Sequence, residues 1–129
     1  LFPYTTLFRS HVHKRPHVHE LAYFNIGRGF PKELMDGHWC YVLKDMGYKM
    51  LVIPCTSIKK DSTPANPLFE KDIKIKTDTH ITQCRIQLSD IRSVDIQRLD
   101  LRKSFYEVLT PKEEIIEFVE KNLFDMSSD

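Results

Sequence analysis

The stretch that decides the fold is residues 38–57, HWCYVLKDMGYKMLVIPCTS. Two runs rich in aromatic and β-branched residues flank residues 44–47, a pattern typical of two antiparallel strands joined by a tight turn. Gly47 can adopt the positive φ that such a turn requires. The second run, residues 50–53, is continuously apolar and predicts a central, buried strand. We expect this strand to stop at Pro54, because proline cannot donate to a strand ladder.

Strand patterns continue on both sides of this hairpin. Four segments show them: residues 20–27, 68–77, 80–88 and 91–99. In the second of these, Ile73 and Ile75 alternate with lysines, which predicts a half-buried strand with a basic outer face. A glycine-containing loop, residues 27–36, separates the first of them from the hairpin.

The last periodic segment is TPKEEIIEFVEKNLF, residues 110–124, and it has the pattern of an amphipathic helix. Thr110 as N-cap, Pro111 at N1 and Glu113 at N3 predict a capping box. One apolar stripe follows the helical period: Ile115, Ile116, Val119 and Leu123. The sequence therefore predicts a mostly β domain, a small antiparallel β-barrel or curled sheet that a C-terminal α-helix closes.

The first ten residues, LFPYTTLFRS, fit neither a signal peptide nor a helix start. A signal peptide has a basic end before a continuous apolar run, whereas here polar residues interrupt the run and Arg9 follows it. One codon choice per residue gives CTC TTT CCC TAC ACG ACG CTC TTC CGA TCT, which resembles a common sequencing-library adapter. We expect residues 1–10 to be a non-native assembly scar and residues 11–129 to form a single domain.

Charge and composition narrow the class of protein. Without Arg9 the chain has 18 basic and 18 acidic residues, and residues 11–110 carry about +4 because residues 111–129 are acidic. A basic body permits a polyanionic partner without requiring one. No apolar run approaches the ~20 residues that span a bilayer. Three cysteines without close pair spacing argue against a disulfide framework or a cysteine zinc site, so we expect a cytoplasmic protein without a membrane partner.

Three segments carry residue types that suit chemistry. In residues 27–36, Arg28 and Lys32 lie near two glycines, which suits either a phosphate cradle or a plain flexible loop. In residues 54–62, two hydroxyl side chains and two lysines follow the buried strand. This arrangement suits the binding of phosphate oxygens, and an ordinary turn is the alternative. Residues 89–99 mix acids and arginines, for which structural ion pairing is the simplest account.

His38 is the candidate acid or base. It lies at the start of a predicted strand, so we expect it at the rim of the barrel, where a histidine can exchange protons near neutral pH. A histidine that merely caps the strand is the alternative. We expect Cys40 and Cys55 to pack in the core rather than to act as nucleophiles, because neither is beside an obvious base.

The order of these segments resembles the PemK/MazF family of type II toxin–antitoxin endoribonucleases. The matching segments cover residues 18–124: YFNIG, Glu33 in the following loop, HWCYVL, LVIPCTS, QLSDIRSVDIQRL and TPKEEIIEFVEKNL. The resemblance implies a homodimer of SH3-like barrels that cleaves single-stranded RNA without metal or cofactor and is inhibited by an antitoxin protein. In that family the 2′-hydroxyl attacks the adjacent phosphorus, which yields a 2′,3′-cyclic phosphate and a 5′-hydroxyl.

The resemblance also implies site residues. Thr56 and Ser57 match the family's threonine and the serine after it, whereas His38 falls where the family has an arginine. A histidine can donate to a phosphate and carry a proton, but it lacks the bidentate fork of a guanidinium. The implied catalytic set is thus His38, Thr56 and Ser57, and Asp90 and Glu33 are alternative candidates for the base. The implied RNA-binding residues are Arg28, Lys32, Trp39, Lys59, Lys60 and Arg92.

The histidine at position 38, where the family has an arginine, leaves a second function open. In this alternative the chain is a non-catalytic barrel that binds nucleic acid or a protein target such as a topoisomerase. The related CcdB-type toxins act by such binding alone, and a shared fold does not decide between the two.

Overall fold

A computed structural model describes residues 14–124, so the expectation for residues 1–10 lies outside the described residues. Within that range no helix is long and apolar enough to cross a membrane. Among the described residues, seven strands and one α-helix follow in chain order: β1 (Glu20–Asn25), β2 (Gly37–Asp45), β3 (Lys49–Ser57), β4 (Glu70–Lys76), β5 (Ile81–Gln87), β6 (Arg92–Asp95), β7 (Tyr106–Val108) and α1 (Lys112–Leu123).

Six of the strands close into an antiparallel barrel. They neighbour one another in the order β2, β1, β7, β4, β5 and β3, and the pairing of β3 with β2 closes the ring. β6 pairs with residues 49–52 of β3, on the same edge where β5 pairs with residues 55–57. The prediction of a small antiparallel barrel with a C-terminal helix is confirmed.

Residues 38–57 form the predicted hairpin of β2 and β3. Gly47 has a φ of 89° at the turn, and Val52 and Ile53 are fully buried. The expected stop at Pro54 is wrong, since β3 runs on to Ser57. β3 changes its neighbour from β6 to β5 between Val52 and Cys55, and a proline is tolerated at such an interruption of the ladder.

Apolar side chains pack on both faces of the sheet. All six barrel strands contribute to the interior cluster, whose members include Leu21, Tyr41, Ile53, Ile73, Ile86 and Val108. A second cluster lies outside the barrel, between β1–β3 and the segment that begins with β6, and its members include Phe24, Val42, Met50, Val94, Ile96 and Leu99. The alternation of strand side chains assigns neighbouring residues of β3 to opposite faces.

The two ends of the barrel differ. α1 lies against the end at which β4 starts, where Lys71 Nζ is 2.9 Å from a carboxylate oxygen of Glu114. Ile115 and Val119 join the interior cluster there, and we call this the closed end. At the opposite end, where β2 starts and β3 finishes, the wall surrounds a cavity, and we call this the open end.

The start of α1 differs from the predicted capping box. The N-cap residue is Pro111, and no side chain caps the helix. The Thr110 hydroxyl oxygen instead accepts a hydrogen bond from the backbone N–H of Lys74 at 2.8 Å. This N–H lies beyond the last residue of β7 that pairs with β4, so it requires an acceptor from the next segment. Of the predicted stripe, Ile115 is buried but Leu123 is 44% exposed.

Candidate active site on the outer face of the barrel

His38 and Thr56 lie on the outer surface of two paired strands. The pairing of β2 with β3 ends at Cys40 opposite Pro54, and His38 and Thr56 each lie two residues beyond that pair, on the same face. Thr56 lies opposite Arg85 in β5. Arg85 in turn lies opposite Asp72 in β4. These side chains face away from the interior cluster, and we call them the outer row: His38, Thr56, Arg85 and Asp72.

The backbone of β3 determines which nitrogen of His38 carries the proton. His38 is half-buried, and its Nδ1 lies 3.1 Å from the carbonyl oxygen of Cys55. A carbonyl oxygen can only accept, so Nδ1 carries the hydrogen in the neutral ring. The lone pair of neutral His38 is therefore on Nε2, on the other side of the ring, where it can accept a proton from a bound ligand.

A chain of hydrogen bonds orients the Thr56 hydroxyl. The amide nitrogen of buried Gln87 donates to Thr56 Oγ1 at 3.2 Å and to a carboxylate oxygen of Glu70 at 2.9 Å. The pKa of Glu70 is below its usual value. The main cause is the hydrogen bond from the backbone N–H of Asn66, and the bond from the Gln87 amide is a smaller one, so Glu70 stays an acceptor. Because Gln87 donates to Thr56, the hydroxyl hydrogen of Thr56 points away from Gln87 and can donate to a ligand.

Arg85 supplies a positive charge at the next position of the outer row. Its Nε and Nη2 donate to the two carboxylate oxygens of Asp72 at 2.7 and 3.3 Å. Only 8% of Arg85 is exposed, and the hydrogen bond that Arg85 donates to the Asp72 carboxylate raises the pKa of Arg85 further. Asp72 engages two of the guanidinium nitrogens and balances the charge of Arg85, which leaves Nη1 outside this ion pair.

Two predicted site residues lie on the opposite face from the outer row. Ser57 and Trp39 alternate with Thr56 and His38 along their strands, and both line the cavity at the open end. The Trp39 ring stacks on Tyr106, with 4.5 Å between the ring centroids. Ser57 therefore lies on the opposite face of the sheet from His38 and Thr56, although Thr56 also lines the cavity.

Four residues of the implied RNA-binding set lie in exposed turns and loops: Arg28, Lys32, Lys59 and Lys60. Lys59 and Lys60 follow β3 in a turn that the hydroxyl of Ser62 closes on the backbone N–H of Lys59 at 2.8 Å. Arg28 lies in the loop of residues 27–36 and forms an exposed ion pair with Asp36 at 3.2 Å, and Lys32 is exposed in the same loop.

Three of the predicted residues hold this loop. Arg92 donates to the carbonyl of Ile26 at 2.8 Å, and a carboxylate oxygen of Asp90 accepts from the backbone N–H of Leu34 at 3.1 Å. Glu33 accepts from the backbone N–H of Phe30 within the loop at 2.9 Å. Arg92 and Asp90 thus anchor the two ends of the loop, and the alternative bases Asp90 and Glu33 each hold a backbone amide.

Sequence reasoning missed Arg85, Gln87 and Glu70. In residues 81–87 the buried Cys84 and Ile86 alternate with Arg85 and Gln87. This alternation is visible in the sequence, and it indicates that Arg85 and Gln87 share a face of the strand. Their approach to Thr56 depends on the pairing of β3 with β5, which no local pattern encodes.

Cys40 and Cys55 belong to the core, as predicted. Cys84 is buried as well, and all three cysteines are free. Burial raises the pKa of the Cys40 thiol to about 12, so this thiol is protonated at neutral pH and is a poor nucleophile.

No protein-family model matches the chain, and no curated protein is found to be similar to it. Among residues 14–124 no three His, Cys, Asp or Glu side chains are grouped as metal ligands. What the chain does is therefore inferred from the outer row and from the resemblance stated above.

Proposed function

We propose that the protein is an endoribonuclease that cleaves single-stranded RNA at the outer row, as its resemblance to the PemK/MazF toxins implies. The observation that carries this proposal is the bond from His38 Nδ1 to the Cys55 carbonyl at 3.1 Å. It leaves Nε2 as a proton acceptor on the same face of the sheet as the oriented hydroxyl of Thr56. A base next to a donor is the pair that attack by a 2′-hydroxyl on phosphorus requires.

The proposed reaction balances with one base and water. His38 Nε2 takes the proton of the ribose 2′-hydroxyl, and the 2′-oxygen forms a bond to phosphorus. The bond from phosphorus to the 5′-oxygen breaks, and that oxygen takes a proton from water. The products carry a 2′,3′-cyclic phosphate and a 5′-hydroxyl, and His38 then releases its proton to solvent.

Thr56 and Arg85 would stabilise the negative charge that develops on the phosphate oxygens. Thr56 donates its hydroxyl hydrogen to a non-bridging oxygen, while Gln87 holds the hydroxyl in place. Arg85 would add a guanidinium N–H donor, in place of the arginine that the family has at the position of His38, while Asp72 balances its charge. Lys59 and Lys60 would contact the RNA backbone beyond the cut.

The proposal extends to partners. Exposed Arg28 and Lys32 on the loop of residues 27–36 would bind RNA phosphates, and the charge of about +4 on residues 11–110 favours a polyanion. A homodimer, an inhibitory antitoxin protein and a cytoplasmic location belong to the same proposal through the resemblance.

The test is incubation of the purified chain with mixed-sequence single-stranded RNA in EDTA, followed by analysis of the product ends. We expect cyclic-phosphate and 5′-hydroxyl ends. His38→Ala should slow cleavage by at least about 100-fold, because it removes the general base. His17→Ala is the matched control, since the His17 side chain is 89% exposed beside Glu20. Thr56→Val should also abolish cleavage, whereas Thr56→Ser keeps the hydroxyl and should retain it.

Intact RNA with a folded protein would contradict the proposal and favour the barrel that binds without cutting. Cleavage that persists in His38→Ala but is lost in Asp90→Asn would identify Asp90, not His38, as the general base.

A further inference from the structure

The open end of the barrel contains a cavity with the size and lining of a nucleobase pocket. Its volume is about 360 Å³, and its wall combines the rings of Trp39 and Tyr106 with polar side chains that include Ser57, Thr82 and Gln83. Aromatic surface with a few hydroxyl and amide groups is the usual lining of a pocket for a small planar ligand.

The aromatic wall of this pocket is already assembled. Trp39 and Tyr106 stack with 26° between their planes, and the edge of Tyr23 meets Trp39 with 5.3 Å between centroids. Rings held by one another need little further ordering when a base packs against them, which favours binding.

A second cavity, of about 630 Å³, is lined by Tyr23, the neighbour of Trp39, and its lining includes Arg98 and Arg102. Arg102 is bound to Asp100 through two hydrogen bonds of 3.0 and 2.9 Å, and this guanidinium lowers the pKa of Asp100 to about 2. Arg102 and Asp100 therefore neutralise each other, and the charge of the cavity depends on its other cations.

Arg98 lines the cavity and provides positive charge there, and Lys103 lies close to the Tyr23 ring. Arg98 is exposed, and its guanidinium donates to the carbonyl of Asn25 at 3.3 Å. Within residues 14–124 no carboxylate forms an ion pair with it. Lys103 Nζ lies 5.2 Å from the centre of the Tyr23 ring. Two cations beside a tyrosine suit a phosphate group.

We propose that the open end binds one nucleotide of the RNA, with its base against Trp39 and Tyr106 and its phosphate on Arg98. Trp39 lines the first cavity and its neighbour Tyr23 lines the second, so these two rings connect the base site to the cavity that contains Arg98. Thr56 belongs to the outer row and also lines the base cavity. The bound nucleotide is therefore the one beside the cut, and the polar wall of the cavity determines which base is preferred. This inference rests on the proposed function, since RNA is the ligand.

The only tryptophan of the chain, Trp39, reports directly on the base cavity. Its fluorescence is measured during titration of the full chain with a mixed-sequence 2′-O-methyl RNA oligonucleotide, which lacks the nucleophile and cannot be cut. We expect a saturable change. Arg98→Gln should weaken binding about tenfold and reduce the slope of log affinity against log salt by about one.

Matched variants separate a specific contact from a general loss of charge. Lys121→Gln removes the same charge on α1 at the closed end and should leave the affinity and the salt slope close to those of the unmodified chain. Thr82→Val should change the preference among homopolymeric oligonucleotides, whereas Thr63→Val, in an exposed loop, should not. An equal effect of Arg98→Gln and Lys121→Gln, or no fluorescence change at any RNA concentration, would overturn the inference.

The two proposals fail in different ways. Cleavage of unmodified RNA without any response of Trp39 would leave the endoribonuclease standing and remove the nucleotide site. A saturable response of Trp39 that is weakened by Arg98→Gln, in a protein that cuts no RNA, would retain the site and remove the catalytic function.

Discussion

The closed end and the open end of the barrel are made by the same strands but have different surfaces. At the closed end α1 brings Ile115 and Val119 into the interior cluster, and both are buried. At the open end the strand termini present hydroxyls and half-buried rings to a cavity. The barrel end that α1 covers becomes part of the hydrophobic core. The uncovered end keeps a concave, partly polar surface, which is the candidate binding surface.

The difference follows from what each terminus can bury. Alternation places one face of every strand inward, and an inward side chain near a barrel end is buried only if another element covers it. Val108 and Leu88 near the closed end are covered and apolar. Ser57 and Thr82 at the open end are polar and exposed. The closed end should therefore carry stability, and the open end should tolerate substitution.

The largest expected effect is on the free energy of unfolding after a change at the closed end. Ile115→Ala should lower it by about 2–5 kcal/mol, because it leaves a cavity beneath α1. The same substitution at the open end, Ile81→Ala, should cost less than about 0.5 kcal/mol, since Ile81 is 60% exposed. Urea unfolding of both variants measures the two values. Equal losses would break the contrast between the ends.

A smaller effect is expected where Thr110 continues the pairing of β4 beyond β7. Thr110→Val keeps the shape but removes the acceptor of the Lys74 N–H at 2.8 Å. Leaving that N–H unpaired should cost about 1–3 kcal/mol. Thr82→Val at the open end is the matched control and should be nearly neutral. Chemical unfolding checks both variants, and a neutral Thr110→Val would show that water replaces the hydroxyl.

Local patterns predicted most of this architecture. The hairpin of residues 38–57, its turn at Gly47 and the inward Ile73 and Ile75 all follow from side-chain period and turn chemistry, which are properties of neighbouring residues. β7 was not predicted, because three residues, 106–108, are too short to show a period.

The candidate site was predicted only in part. Successive side chains of a strand point to opposite faces of the sheet. The local sequence therefore already indicates that Thr56 and Ser57 lie on opposite faces, and that His38 and Trp39 do so as well. The role of Arg85 depends on β3 lying beside β5, a long-range pairing that no short segment encodes. The Thr110 hydroxyl accepts from the Lys74 N–H of β4 instead of capping α1. This contact also depends on a long-range pairing, so the local sequence does not predict it.

The smallest expected effect is a pH dependence at the closed end. His19 Nδ1 lies 2.7 Å from the hydroxyl of Tyr41, and burial is the main cause that keeps the pKa of His19 below its ordinary value of 6.5. Lys112 lowers it further, while Glu113 and the carbonyls of Thr110 and Val108 act in the opposite direction.

The unfolded chain therefore binds a proton at His19 more readily than the folded chain does. The contribution of neutral His19 to stability is complete above the ordinary pKa and is lost as the pH falls below it. Asparagine tolerates the positive φ of His19, 73°, so His19→Asn removes the titration with little backbone strain. Unfolding free energies at about pH 7.5 and about pH 5 should differ less in this variant than in the unmodified chain. Carboxylates titrate in both proteins, so an unchanged difference would mean that His19 does not link the closed end to pH.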